Sequence, residues 1–181
     1  GKGLADATIL GGAVSWYEFF KDIKNDKGMS YEDKILYGEG KTGIAWKILD
    51  KEADLIKAFT ATFTSLGVIA AVLGLMGWAP AAALAGAFGL LAAIGHGIAM
   101  ILKSIMFFRD NNRLAHAADK YGKKSKEYAM VRGKRWQDGA SAVGSLLGLV
   151  STGILGAIGG GNFFGSYDPA GAADTISKGV G

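Results

Sequence analysis

From Ala58 to Leu102 the chain runs for 45 residues without an Asp, Glu, Lys or Arg. An uncharged run of that length has two physical homes, the interior of a helical bundle or the hydrocarbon of a membrane. It is divided once, at Trp78-Ala79-Pro80, into pieces of 20 and 22 residues, Ala58 to Gly77 and Ala81 to Leu102. Proline disfavours helix in the residue before it and opens a new helix well, so this turn predicts a helical hairpin with its tip at Gly77 to Pro80. At 1.5 Å per residue each arm reaches roughly 30 Å, the thickness of a bilayer's hydrocarbon core. Lys57 and Lys103 stand at the opposite ends of the arms, which anchors both arms on one side while the tip points away.

The first arm has two faces. Thr60, Thr64, Gly67, Ala71 and Gly74 form a small-residue face, and Phe59, Phe63, Leu66, Ile69, Leu73 and Met76 form a large one. With Trp78 and Pro80 at the tip and Leu84, Phe88, Leu91, Ile94 and Ile98 on the second arm, these large residues are the expected membrane-inserting surface. The eight Phe, Leu, Ile and Val residues of Ala58 to Gly77 favour insertion by about 2 to 5 kcal/mol before Gly, Thr and Ser subtract from it. Two buried central helices of a water-soluble bundle remain the competing reading, and small-residue faces suit close helix contact in either solvent.

Around the hairpin the chain predicts further helices. Residues 4–24 carry Ile9, Ala13, Trp16, Phe20 and Ile23 on one stripe, ended by Asn25 to Gly28. Ser30 and Asp33 form a capping box opening a short helix to Tyr37, a loop follows over Gly38 to Gly43, and Thr42 caps the charged helix that leads into the first arm. Residues 103–138 read as two charged amphipathic helices, the first ended by Gly122 and the second capped by Ser125. A third apolar helix, 139–161, carries Gly144, Gly148, Gly156 and Gly160, which with Gly67, Gly74 and Gly89 are the expected helix-packing glycines. The expected architecture is therefore an all-α bundle around the hairpin over residues 1–161, with an irregular glycine-containing tail over 162–181. A faint duplication relates "FFKDIKN" at Phe19 to Asn25 with "FFRDNNR" at Phe107 to Arg113, each followed by a Tyr-Gly pair. The chain begins at Gly1 and contains no leader pattern, so it is read as a piece of a longer protein.

Charge narrows the partners. Residues 103–138 hold ten basic and four acidic groups, a local excess of +6 within a chain of net +4. Lys57, Lys103, Lys120, Lys123, Lys124, Lys126, Arg132, Lys134 and Arg135 are the expected membrane-surface basic residues, suited to anionic lipid. Tyr121, Tyr128 and Trp136 lie at the spacing of a helix face, which disfavours a base-stacking platform and makes nucleic acid an unexpected partner.

Catalytic chemistry finds little foothold. Gly40-Lys41-Thr42 resembles the end of a phosphate-binding loop, but the glycine required at position 35 is Ile35. No cysteine is present, and the two histidines, His96 and His116, lack a set of partners at metal-ligand spacing. No nucleophile and base can be paired, so the chain reads as non-enzymatic, without metal or cofactor.

Charged amphipathic helices around an uncharged hairpin with a tight tip resemble the pore-forming domains of colicin-type bacterial toxins and the glycine-rich membrane-active domains of bacterial effectors. The resemblance is carried by the organisation of Ala58 to Leu102 and Gly139 to Gly161; the hairpin here is central, whereas in colicins it lies near the C-terminus, so no helix roles are carried over. It implies a secreted or delivered domain that permeabilises a target membrane, with a homo-oligomer in the membrane and an immunity protein, chaperone or delivery apparatus as partners. Two other functions fit the same residues: a constitutive membrane or phage ejection and tail-interior channel component, and a soluble α-helical interaction module.

Overall fold

The computed structural model describes residues 2–25 and 28–163, with side-chain surroundings given for 11–25 and 28–152. Among these residues the fold is all-α, with five helices: α1 Lys2–Asn25, α2 Tyr31–Tyr37, α3 Gly40–Leu75, α4 Ala79–Tyr121 and α5 Lys126–Phe163. The expected hairpin is present as the distal parts of α3 and α4. Gly77 at φ 102° makes its turn, a conformation costly for any side chain, and Pro80 sits in the first turn of α4.

Each long helix is a charged segment fused to an apolar one. The charged segments 103–121 and 126–138 lie on two helices parted at Gly122, as expected, but each is continuous with an apolar arm: no Gly or Pro interrupts Ile98 to Arg113, and a change from apolar to charged residues is not a stop signal. The ends that do stop are glycine-capped: Gly38 closes α2 at φ 105° and Gly122 closes α4 at φ 88°. Ser30 accepts from the Asp33 amide at 3.1 Å and Asp33 returns the bond, completing the capping box; Ser125 likewise accepts from the Tyr128 amide at 3.1 Å. The loop before α3 is shorter than expected. Helix begins at Gly40, Glu39 is the N-cap without a side-chain bond, and Thr42 lies inside the helix. Gly43 shows why: a Cβ there would lie 2.0 Å from the Gly38 carbonyl oxygen, so the first turn closes against the preceding backbone.

Helices α3 and α5 run from charged to apolar, and α4 runs the opposite way between them. It packs along α5 more extensively than along α3, and α1 lies antiparallel on the apolar half of α3. The molecule is thereby split across its length into a charged half, holding α2, and an apolar half. In the charged half a small core of Ile35, Ala117 and Val131 joins α2, α4 and α5. Arg113 donates to the Ile35 and Lys34 carbonyls of α2 at 2.9–3.0 Å, adding a bond at Lys34, which already accepts the Gly38 amide, and reaching Ile35 in the last turn.

The glycines of the apolar half separate into two groups. A Cβ on Gly74 would lie 3.1–3.2 Å from Ala82, one on Gly67 would touch Phe88 at 3.5 Å and the Gly89 amide at 3.7 Å, and one on Gly148 would fall 2.4–2.7 Å from the His96 ring. Gly89 is buried. Gly144 departs from the expectation: it is exposed, with nothing within 4 Å of an added Cβ, because the four-residue step to Gly148 turns it off the contact with α4. Gly156 and Gly160 lie in α5 beyond the residues whose surroundings are described, and the expected tail lies outside the described residues from 164 onward. In the duplication, Tyr37-Gly38 and Tyr121-Gly122 end helices alike, whereas Phe19–Asn25 closes α1 and Phe107–Arg113 lies inside α4.

Gly148→Ala is expected to destabilise the fold by about 1–3 kcal/mol through crowding of His96, and Gly144→Ala to stabilise it by about 0.5–1 kcal/mol through helix propensity alone. Denaturant unfolding followed by circular dichroism separates the two.

Candidate membrane-facing hairpin and the ionic collar at its base

The apolar half is packed with small side chains inside and large ones outside. Ala58, Thr60, Ser65 and Ala70 of α3 and Ala81, Gly86, Gly89, Ala92, Ala93 and Ala99 of α4 are buried. Helices meet this closely only where side chains are short: Gly95 receives the Thr60 side chain, and Gly12 of α1 receives Ser65. The hydroxyls inside are satisfied within their own helix, Thr60 donating to Ile56 O at 2.7 Å, Thr64 to Thr60 O at 2.8 Å and Ser65 to Ala61 O at 2.9 Å. Trp16 Nε1 donates to the Thr62 hydroxyl, and its ring meets Phe59 edge to face.

Of the twelve expected membrane-inserting residues, Phe59, Leu66, Leu73, Trp78, Pro80, Leu84, Leu91, Ile94 and Ile98 are exposed. Phe63, Ile69 and Phe88 are half-buried, with Phe63 stacked on Phe88 across the hairpin. Leu75, Met76, Ile101 and, on α5, Val143, Leu146, Leu147 and Val150 extend the same surface. In the most apolar eighteen-residue stretches, only 17% of α3 and 28% of α4 is buried. Soluble bundles bury Leu, Ile and Phe and do not leave so many large apolar side chains side by side on the outside, so this exterior is inverted with respect to water. Besides the Phe63–Phe88 stack within the arms, aromatic rings mark a level at each end of the apolar half: Trp78 at the tip, and Trp16, Phe19, Phe20, Phe59, Phe108 and Trp136 near the base. Seventeen α3 residues from Phe59 to Leu75 separate the two levels by about 25 Å.

At the base the apolar half meets a buried layer of charge. Lys103 Nζ of α4 donates to Asp50 and Asp54 of α3 at 2.9 and 3.4 Å and to Asp138 of α5 at 3.4 Å. Lys134 of α5 bridges Asp50 at 2.9 Å and Asp138 at 2.8 Å. Tyr37 of α2 donates to Asp50 at 2.5 Å and places its ring under Lys134. Four helices are thus tied through one collar. Burial alone would raise the Asp50 carboxyl, but Lys134 and Lys103 hold it down at about 2. Burial disfavours the charge on both lysines, yet the carboxylates around them raise Lys103 and Lys134 above their ordinary value. Burial raises Asp54, outweighing Lys103, and burial with Asp50 pushes the Tyr37 hydroxyl far above the usual phenol range.

This geometry revises the basic-surface expectation. Lys103 and Lys134 are buried structural cations, since a lone buried ammonium must find carboxylates: Lys103 has three from other helices, and Lys134 has Asp50 of α3 and Asp138 of its own helix. Arg135 is half-buried and donates to Asn111 at 3.2 Å. Lys57 remains exposed at the base beside Ser141. Lys120, Lys123, Lys124, Lys126 and Arg132 are exposed, but the first four surround the α4–α5 turn. Eighteen helical residues from Lys103 to Lys120 put that turn about 25 Å from the collar. Asp50, Asp54, Asp110 and Asp138 were not legible as a cluster, although an acidic residue facing inward on a long helix beside an apolar run is a signal of sorts. The Tyr37 to Asp54 side also lines an open cavity of about 530 Å³ with Lys47, Lys51 and Asp33 on its walls.

No protein-family model matches the chain, and no curated protein or solved structure matches it.

Lys103→Met leaves three carboxylates facing one lysine and is expected to cost about 3–5 kcal/mol, read by denaturant unfolding. In the parent protein the stability supplied by Asp50 is complete above its ordinary value of 3.8 and is lost as pH falls toward about 2. In the variant, acid unfolding followed by circular dichroism is expected to set in at higher pH.

Proposed function

We propose that this protein works inside a lipid bilayer, which its hairpin and the apolar part of α5 enter, and that it permeabilises that bilayer. The observation supporting this most directly is the inverted hairpin: Leu, Ile and Phe side chains cover its outside while Ala, Gly, Ser and Thr fill its inside. Lipid tails offer no penalty to that exterior, and the backbone of the arms is satisfied within each helix as a hydrocarbon environment demands. The spacing of the aromatic levels fits the hydrocarbon core, with Trp78 at one interface and the Phe59 and Trp136 level at the other. The ionic collar then lies at the second interface, outside the spanning segments, with the charged half in water.

In this placement Lys57 stands at headgroup level and contributes to attraction by anionic lipid. The lysines of the α4–α5 turn stand about 25 Å away, some three Debye lengths at physiological salt, and act on the approach to the membrane rather than in the inserted state. The resemblance to pore-forming toxin domains makes permeabilisation the activity to test first. A single hairpin encloses no lumen, so conduction implies several copies side by side, joined through the large-residue faces or through α5.

A constitutive membrane component is the second reading, and one observation favours it: even with α1 and α5 packed on it, only 17% and 28% of the most apolar stretches of α3 and α4 is buried. Purification separates the two. Detergent-free monomer that releases dye from liposomes supports an inserting toxin or effector; recovery only in detergent supports a resident membrane protein. Stable monomer that leaves liposomes intact overturns both in favour of a soluble interaction module.

Ile94 is 60% exposed and nine residues above Lys103, about 14 Å into the apolar half. Ile94→Lys is expected to retain helicity while costing about 2.5–3.5 kcal/mol of insertion, a roughly hundredfold loss of vesicle binding in a flotation assay, with dye release falling in parallel. Binding equal to that of the parent would overturn the membrane placement.

A further inference from the structure

Asp110 lies beside the collar and forms no salt bridge among the described residues. It projects from α4 and is fully buried, and neither carboxyl oxygen receives a hydrogen bond from any donor. The group it faces across the α4–α5 contact is Asp138. Two carboxylates are both acceptors, so an anionic pair cannot bond, and a carboxylate without donors is among the most costly groups to enclose.

Both lysines of the collar are already engaged, and Arg109, whose buried Nε is unpartnered among the described residues, turns its guanidinium elsewhere. The three N–H bonds of Lys103 go to Asp50, Asp54 and Asp138. Lys134 serves Asp50 and Asp138. Arg109, one residue before Asp110, directs its guanidinium to the Tyr37 carbonyl and the Trp46 ring. The charged and titratable groups around Asp110 are thus Tyr37 from α2, Asp50 and Asp54 from α3, Lys103 and Arg109 from α4, and Lys134 and Asp138 from α5. Three carboxylates already share two ammoniums, and an ionised Asp110 would be a fourth anion, for which the attraction of Lys134 is outweighed by burial and by Asp138.

We propose that Asp110 and Asp138 form a proton-binding site, in which Asp110 carries the proton and donates it in an O–H···O bond to the Asp138 carboxylate, and that this proton is required for α4 and α5 to close at the collar. Loss of the proton to solvent leaves two anions facing each other across the α4–α5 contact and loosens the base of the apolar half. Burial, and then Asp138, raise the Asp110 carboxyl to about 9, so the site is filled at neutral pH. In the unfolded chain the same carboxyl ionises near 3.8. The stabilisation is therefore complete below that value and is lost progressively as pH rises toward about 9.

The test compares the full chain with Asp110→Asn in mild-detergent micelles, unfolded by graded denaturant and followed by circular dichroism. From about pH 5 to about pH 8 the unfolding constant of the parent is expected to rise about tenfold per pH unit, one proton being held by the folded form and not by the unfolded one. The slope of Asp110→Asn is expected to be lower by that same factor, since the amide donates the bond without a proton to lose and titrations elsewhere cancel in the difference. Equal slopes would overturn the proposal. Infrared spectroscopy of the parent supplies a second reading that needs no variant: aspartate labelled at its side-chain carboxyl carbon is expected to show a protonated carboxylic acid band at neutral pH that disappears above about pH 9–10. Absence of the band at neutral pH would equally overturn it. Neither readout depends on membrane insertion, so failure here and failure of the bilayer reading are distinguishable.

Discussion

The arrangement depends on two buried lysines. Lys103 and Lys134 sit where the apolar and charged halves meet, and each reaches at least one carboxylate on another helix. A buried ion pair adds little net stability over a well-packed apolar contact, but breaking one is costly, and that asymmetry makes the collar a device for register. Asp50, Lys103, Lys134 and Asp138 meet only if α3, α4 and α5 are aligned along their axes to within a hydrogen bond. Sliding one helix past another by a turn would strand a charge, whereas the alanine and glycine surfaces above the collar offer few features to oppose such a slip.

Above the collar, contact is made by smallness. Gly95 beside Thr60, Gly148 beside the His96 ring and Gly74 beside Ala82 bring helix backbones together without large side chains between them. Burying so many alanines and glycines contributes little hydrophobic free energy in water, because little apolar area is removed per residue. The same contacts are adequate in lipid, where close van der Waals packing is the main source of helix association. The interior and the exterior of the hairpin therefore point to the same solvent by independent arguments. Below the collar the logic reverses: Ile35, Ala117 and Val131 form a conventional core, and Arg113 braces α2 through carbonyls near its end.

The placement of the cations follows from helix length. The excess of positive charge in 103–138 is a single segment in sequence, but it folds back on itself at Gly122, so its two ends come to the collar and its middle is carried about 25 Å away. Lys103 and Lys134 are spent on the collar, Arg109 and Arg113 on α2, and the exposed lysines around the turn form a separate basic end. A charge excess in sequence thus became two unlike features, one buried and one remote from the apolar half.

Much of this was legible before any coordinates. The uncharged run with one Trp-Ala-Pro interruption dictates a hairpin, because proline and helix period leave little choice, and the alternation of small and large residues along α3 assigns its inner and outer faces. The Ser30 capping box and the stops at Gly38 and Gly122 are local chemistry, settled within a few residues of chain. What tertiary structure alone decided is which distant groups meet. Lys103 and Lys134 look like surface residues in sequence, since a lysine carries no mark of burial, and Asp50, Asp110 and Asp138 lie tens of residues apart on three helices. Gly144 and Gly148 share a motif, yet one faces open space and the other a histidine. Periodicity fixes the face on which a residue stands; only the axial register of packed helices fixes what stands opposite, and that register is set by long-range ionic contacts that no local pattern encodes.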